Sequence, residues 1–415
     1  SDTNLILDTA QKMVGAMAHI LNKPVIEGKI VTKGYSIMQP RIGITLEDSQ
    51  KTMFTKIFSS NPGIDFYTNA ISDIYQDCFG EGIFTGKGIY DLEIYQKLIK
   101  NELPENRILS HDLLEGNYLR CGLLTDVVLL DSFPSQYLSY LERENRWIRG
   151  DWQIASWMEK TINKKENPIN NVSRFKIFDN LRRSILPIIQ IIIFGIAIAN
   201  KSIPLLAIAL ISLYMTSILE IIDKIIFRKS ITEKKIYADK KFYKNVSGIR
   251  GTILRNSIEL TFLPTTAINA FLAITKTLYR LKVKKKLLEW KTSDSVDKSI
   301  ENTLECYCRK MIFNIFSGII MFGLLNPLGM VIGTLWIFAP YIAWLLSQKI
   351  VIERKITKEN KEYLQTIALE TWKYFEESFT KENNYLVPDN YQVGRKNSFV
   401  TRTSSTNIGL EILSI

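Results

Sequence analysis

One span of 48 residues, "SHDLLEGNYLRCGLLTDVVLLDSFPSQYLSYLERENRWIRGDWQIASW" (110 to 157), gathers most of the side chains in this chain that could do chemistry. His111, Asp112 and Glu115 fall in its first turn, and Arg143, Arg146, Trp147, Arg149 and Asp151 near its end. A carboxylate can take a proton from a hydroxyl. A guanidinium forks onto phosphate oxygens, and an indole face can carry a sugar ring. Together these are requirements for moving a sugar from a nucleotide diphosphate to an acceptor hydroxyl. Such a reaction also needs a hard cation on the diphosphate. Asp2 stands where a D-x-D metal motif would end, and so becomes the candidate ligand for Mg²⁺ or Mn²⁺.

Each of these residues has a plainer use. Asp112 sits where a loop enters a helix, a common place for a capping acid. Glu115 has the spacing of a capping box. Arg146 and Arg149 are three apart on one predicted helix, where Glu142, Glu144 and Asp151 could neutralise them. A lone Trp on a helix usually belongs to a core. The glycine-rich "FGEGIFTGKGIYD" (79 to 91) lacks the spacing of a P-loop.

The elements that position these groups change character along the chain. Residues 1 to 170 read as a soluble α/β mixture. Four nearly charge-free stretches follow, at 185–199, 203–219, 311–325 and 328–346, paired by the short turns "NKS" and "NP". They are the expected membrane spans. The 53 basic residues exceed the 42 acidic ones by 11. The excess gathers beside the apolar runs, as in "FRKSITEKKIYADKKFYK" and "RLKVKKKLLEWK", which is how inner-side loops are marked. It does not spread over an aromatic-studded face, which argues against nucleic acid as a partner. Between the span pairs, residues 252–290 mix apolar positions with Arg255, Glu259, Lys276 and Arg280, as expected of a helix lying in the interface against membrane lipid, interrupted at Pro264. Four scattered cysteines point to reduced thiols. The opening "SDTNLILDTAQKMV" and closing "IGLEILSI" both look like cuts, so the sequence is expected to be a piece of a larger protein.

These motifs carry a resemblance. Asp112, followed by Arg143-x-x-Arg146-Trp147, resembles the catalytic Asp and Q-x-x-R-W motifs of processive cellulose- and hyaluronan-synthase-type β-glycosyltransferases, with Arg143 where Gln is usual. "LDTAQKMVGAMAHILNKP", "IMQPRIGI", "GIDFYTNAISDIYQDCFGEGIFTGKGIYD", "HDLLEG", "RENRWIRGDWQ" and "ETWKYFEESFTKENNYLVPDNYQ" look more closely like the cyclic β-1,2-glucan synthases. The resemblance implies α/β plus membrane α-helices. At 1–175 it implies the C-terminal part of a GT-A-type (Rossmann-like) glycosyltransferase domain. A transmembrane hairpin at 176–228, a cytoplasmic or interfacial segment at 229–308 and a second hairpin at 309–348 would follow, then at 349–415 a linker and the start of a glucoamylase-like region.

The implied activity is inverting transfer of glucose from UDP-glucose to the 2-hydroxyl of a growing β-glucan acceptor. A cellulose-like product and a non-catalytic carbohydrate-binding scaffold are the alternatives. The implied place is the bacterial inner membrane, with a cytoplasmic active site and the synthase's other domains as partners. The piece alone would be inactive. In this frame Asp112 is the base, and His111, Arg143, Arg146 and Arg149 lie near the diphosphate. Trp147 stacks the acceptor, Glu115 helps to place it, and Asp151 lines the same site. Gly86, Lys87 and Gly88 form an acceptor-side loop, and Gln39 lies on a strand near the donor.

Overall fold

A computed structural model describes residues 3–59, 74–100, 102–104, 106–162, 165–226, 248–289, 297, 299–350, 357–396 and 398–414. Asp2 and the basic stretch 227–247 lie outside the described residues. The chain divides into two compact units, Ser1–Ile350 and Val351–Ile415.

In the first unit, β1 (Asn4–Leu5) leads into helix α1 (Thr9–Ala18), and β2 (Val25–Glu27) pairs with β3 (Ile30–Lys33) as a small hairpin. The main sheet adds β4 (Ile37–Ile44), β5 (Ile89–Tyr90) and β6 (Cys121–Asp131), in the order β1-β6-β4-β5. β4 and β6 run parallel, from Ile37 opposite Cys121 to Ile44 opposite Asp131, and the edge strands are antiparallel. Their register slips between Pro40 and Arg41, where proline has no N–H to give the ladder. The connection from β5 to β6 carries α2 (Leu92–Ile99) and α3 (Asp112–Leu119). Ile37, Phe84, Leu114, Tyr118, Cys121 and Trp157 close one core beneath them. α4 (Tyr137–Gln153) follows β6 directly.

Five apolar helices complete this unit: α5 (Asn171–Ala199), α6 (Ile203–Ile226), α7 (Gly248–Val283), α8 (Ile312–Gly323) and α9 (Pro327–Leu346). Among the described residues, four are long and apolar enough to cross a membrane: Asn171–Ala199, Ile203–Ile222, Ile249–Val283 and Pro327–Leu346. The sequence placed a span at 311–325 instead. α8 has only 12 residues, about 18 Å of helix against a hydrocarbon layer of about 30 Å. It packs on α9 through glycines: a Cβ on Gly318 would lie 2.6 Å from the Gly333 carbonyl oxygen, and one on Gly333 would lie 2.7 Å from that of Gly318.

The expected break at Pro264 is absent. α7 runs 36 residues straight through it, because side chains from α8 and α9 replace what proline removes. Pro264 cannot donate to the Leu260 carbonyl, and Trp336 Nε1 does so at 2.9 Å. The Thr265 N–H is diverted to Asn314 Oδ1 at 2.8 Å, while Asn314 Nδ2 serves the Thr261 carbonyl at 2.7 Å. Every group freed by the proline is thereby re-bonded, as apolar surroundings require. Elsewhere α7 meets α6 through a polar seam, Tyr214 with Ser257 at 2.9 Å and Asn256 Nδ2 to Ser217 Oγ at 2.9 Å.

The second unit holds α10 (Lys358–Ser378) and α11 (Ser405–Ser414). The chain between them is pinned by Tyr374 Oη on the Pro388 carbonyl at 2.6 Å and by Arg402 and Asn407 on Asp389.

Candidate active site

α3 starts at the surface and is sealed within a turn. Asp112 is half-buried, and Leu113 to Leu119 are all buried. His111 occupies the cap position and makes no side-chain capping bond. Asp112 accepts from Ser110 Oγ at 3.1 Å, the pattern of a carboxylate held beside the helix start rather than spent on capping it. Burial raises its pKa above the ordinary carboxylate range, and the neighbouring Glu115 acts the same way. The Ser110 hydrogen bond, His111 and Arg146 pull it back. A carboxylate so raised is a stronger proton acceptor when ionised.

Glu115 lies one turn deeper at 2% exposure. Tyr90 and Tyr95 each donate a hydroxyl to it at 2.9 Å, and His111 Nε2 lies 3.1 Å away. Burial and then the Glu115 contact push Tyr95 up to about 12, and the bond to Glu115 raises His111. His111, Asp112 and Glu115 bring candidate metal-ligand atoms within 4.8 Å of one another. The set does not fit a cation well, because the Glu115 oxygens already serve three donors. Glu115 anchors the first turn of α3 instead.

The glycine loop closes over Asp112. Gly86 has φ +86°, and a Cβ there would stand 2.7 Å from Asp112 Oδ1. Glycine is needed at this point both for its backbone angle and for the approach. A Cβ on Gly88 would fall 2.2 Å from the Met38 carbonyl oxygen, so the loop is pressed onto β4. Gln39 holds it there: buried at 3% exposure, its Oε1 accepts from the Thr85 N–H at 2.5 Å and from Thr85 Oγ1 at 2.9 Å. Lys87 pairs with Asp131, the last residue of β6. The loop therefore links Asp112 to the carboxyl end of the parallel pair, where open α/β sheets usually bind ligands. Glu81 is drawn elsewhere, into a buried pair with Lys176 of α5 at 2.9 Å.

α4 brings the arginines. Arg146 faces Asp112, and the two perturb each other's ionisation. One turn on, a Cβ on Gly150 would meet Ser110 Cβ at 2.9 Å, so this face of α4 lies directly on the Asp112 loop. Trp147 is half-buried, and the Arg143 guanidinium lies over its ring, 4.4 Å from the centroid. Arg149 turns away. It is 7% exposed and donates to the Glu289 carbonyl at 2.9 Å, so it clamps a backbone segment instead of opening toward a diphosphate. Asp151 also leaves the site, accepting from Asn180 of α5 at 2.9 Å, with burial raising it to about 6. Sequence reasoning missed Ser110 and Tyr95. Ser110 is signalled by its position two residues before the acid, whereas nothing local marks Tyr95.

No protein-family model matches the chain. A search of curated proteins finds the cyclic β-(1,2)-glucan synthase NdvB of Rhizobium meliloti, 35% identical over 432 aligned residues. The alignment takes in all of this chain. The chain is a relative of that synthase along its whole length. It spans 15% of the synthase's own length. Asp112, the loop over it and the arginine–tryptophan helix therefore all fall within a stretch aligned to a glucan synthase.

Proposed function

We propose that the chain is part of a membrane-embedded inverting glycosyltransferase that moves glucose from UDP-glucose to the 2-hydroxyl of a growing β-1,2-glucan. The carrying observation is Asp112 beneath the Gly86 loop, close enough to Arg146 for each to perturb the other's ionisation, with the half-buried Trp147 indole one residue on. Asp112 takes the proton of the acceptor hydroxyl. The acceptor oxygen attacks the anomeric carbon of glucose from the face opposite the diphosphate. As that bond forms, the bond from the anomeric carbon to the diphosphate oxygen breaks, and its electron pair leaves with UDP. Arg146 offers fixed positive charge to the departing phosphate oxygens. Trp147, held flat by Arg143, gives a face for the acceptor's terminal ring.

Mg²⁺ or Mn²⁺ would add charge neutralisation on the diphosphate, with Asp2 as the proposed ligand. Thr3, the next residue, hydrogen-bonds to Asp131 at 3.4 Å. The long apolar helices fit a multi-pass membrane protein. The basic residues Arg182, Arg183 and Lys349 beside the apolar runs support placing the α/β layer on the cytoplasmic side of the inner membrane.

The test uses membranes carrying the full-length protein and radiolabelled UDP-glucose. Asp112→Asn keeps the shape and removes the base, and its expected effect is a loss of about 10²–10⁴-fold in incorporation. Undiminished synthesis would remove the base assignment. Linkage analysis of the wild-type polymer should show 1,2-linked glucose, and 1,4-linked product would overturn the acceptor assignment.

A further inference from the structure

We infer that Gln153 is a positioning residue for Asp112, and that the segment Lys284–Glu289 beyond α7 is the support it works against. This rests on the proposal that Asp112 is the base. Gln153 is buried, at 6% exposure, in the last turn of α4. Its Oε1 accepts from the Leu109 N–H at 2.6 Å, and its Nε2 donates to the Leu287 carbonyl at 3.0 Å. Leu109 immediately precedes Ser110, whose hydroxyl holds the Asp112 carboxylate. One amide side chain thus joins the strand of loop that sets the base to a backbone 134 residues further on. A side-chain amide accepts at its oxygen and donates at its nitrogen, so one residue can serve both backbone groups.

The far anchor is built to stay still. Leu287 is buried, Arg149 donates to the Glu289 carbonyl, and Arg280 donates to the Lys286 carbonyl at 2.8 Å and pairs with Glu289. Lys284 and Lys286 adopt φ +57° and +54°, left-handed angles that non-glycine residues keep when their surroundings hold them. Gly150 presses on Ser110 from the same turn of α4 as Gln153. The Asp112 loop is therefore fixed from two points of one helix end. Gln153 touches no reacting atom in this reading. It acts through Leu109 and Ser110 on where the carboxylate stands.

The test compares Gln153→Met, which loses both bonds, with Gln153→Glu, which keeps an acceptor for Leu109 and loses the donor to Leu287. In the full-length protein, Gln153→Met is expected to lower kcat about 10–100-fold, the range a small misplacement costs, with KM for UDP-glucose little changed. The acid limb of its kcat–pH profile should move to lower pH, because a loosened loop hydrates Asp112 and relieves the burial that raises it. Amide hydrogen exchange at Leu109 should be faster in Gln153→Met and stay slow in Gln153→Glu. An unchanged kcat and acid limb in Gln153→Met would overturn the proposal, as would equal Leu109 exchange in the two variants. If Gln153→Met does not fold, Gln153→Glu decides. A slow Leu109 amide with reduced kcat supports the role, and fast exchange there ends it. Asp112→Asn is assayed alongside: activity surviving in that variant defeats the base assignment, while the exchange data still report on the Gln153 contact.

Discussion

The middle and the last turn of α4 treat the same residue types differently. In its middle, Arg143, Arg146 and Trp147 remain partly exposed and lie beside a half-buried acid. In its last turn, Arg149, Trp152 and Gln153 are tied to backbone or side-chain groups of distant elements: Arg149 to Glu289, Trp152 Nε1 to Ser184 Oγ at 2.9 Å, and Gln153 to Leu109 and Leu287. The start of the helix is tied as well, Tyr137 N–H to Ser347 Oγ at 3.1 Å, and Asn145, on another face of the middle, donates to Asn269 at 2.9 Å. A short run, "RENRWIRGDWQ", thus supplies both the groups that can meet a substrate and those that hold the helix rigid between the sheet and the apolar helices. Motif membership does not by itself separate reactive from structural residues.

The sharpest way to break this comparison is to treat Arg146 and Arg149 alike. Arg146→Met should lower kcat about 10²–10³-fold, the usual cost of losing one preorganised charge at a developing anion, with little change in thermal unfolding. Arg149→Met should do the reverse. It loses a charge-assisted bond to the Glu289 carbonyl, about 1.5 kcal/mol of stability, while turnover per folded molecule falls far less. Steady-state kinetics and unfolding of the detergent-purified full-length variants separate the two. Equal kinetic losses would mean that Arg149 also reaches the diphosphate and that the division along α4 is wrong.

The acid limb of kcat/KM sharpens the same comparison with a smaller effect. As the proposed base, Asp112 would have to be ionised, and burial places its pKa above the ordinary aspartate range, so activity should fall with acid at a higher pH than a free aspartate would give. Arg146 lowers that pKa. Its removal should therefore shift the acid limb of the residual activity further up. Arg149→Met should leave the limb in place, since Arg149 is not among the groups that perturb Asp112.

Much of the open half was legible from sequence, and little of the tied half was. Asp112 and Arg146 stood out as candidates through the motifs that resemble β-glycan synthases, an acid at a loop-helix junction and arginines on a later helix. Gly86 was visible as a glycine among glycines, but its approach to the Asp112 carboxylate is a tertiary fact. A three-residue step puts Arg149 only about 60° round the helix from Arg146, and its bond to the Glu289 carbonyl, on a segment more than 130 residues away, could not be read from that spacing. Pro264 failed as a helix breaker for the same kind of reason, since Asn314 and Trp336 repair it from outside the helix. The membrane character was plain in hydropathy, yet the choice between 311–325 and α7 as a long helix was not. Local apolarity says nothing about where a helix stops.

The smallest effect concerns Glu144, which lies on α4 between the two kinds of residue. Burial raises its pKa to about 7, with Glu259 of α7 adding to the rise and Tyr140 and Arg143 opposing it. The sign of the stability effect follows. A carboxylate raised above its unfolded value of about 4.3 favours the folded state while protonated. That stability is complete below the unfolded pKa and is lost as pH rises through about 7. Glu144→Gln imitates the protonated form at every pH. It should match wild type near pH 4.5 and exceed it by roughly 1 kcal/mol at pH 8, once partial solvation is allowed for. Unfolding temperatures at the two pH values provide the check. If the variant is instead less stable at pH 8, the carboxylate is paired rather than stranded, and Glu144 belongs with the tied residues. If it is more stable with kcat unchanged, the strained acid beside the open site is not part of the chemistry, and the reactive stretch of α4 narrows to Arg143, Arg146 and Trp147.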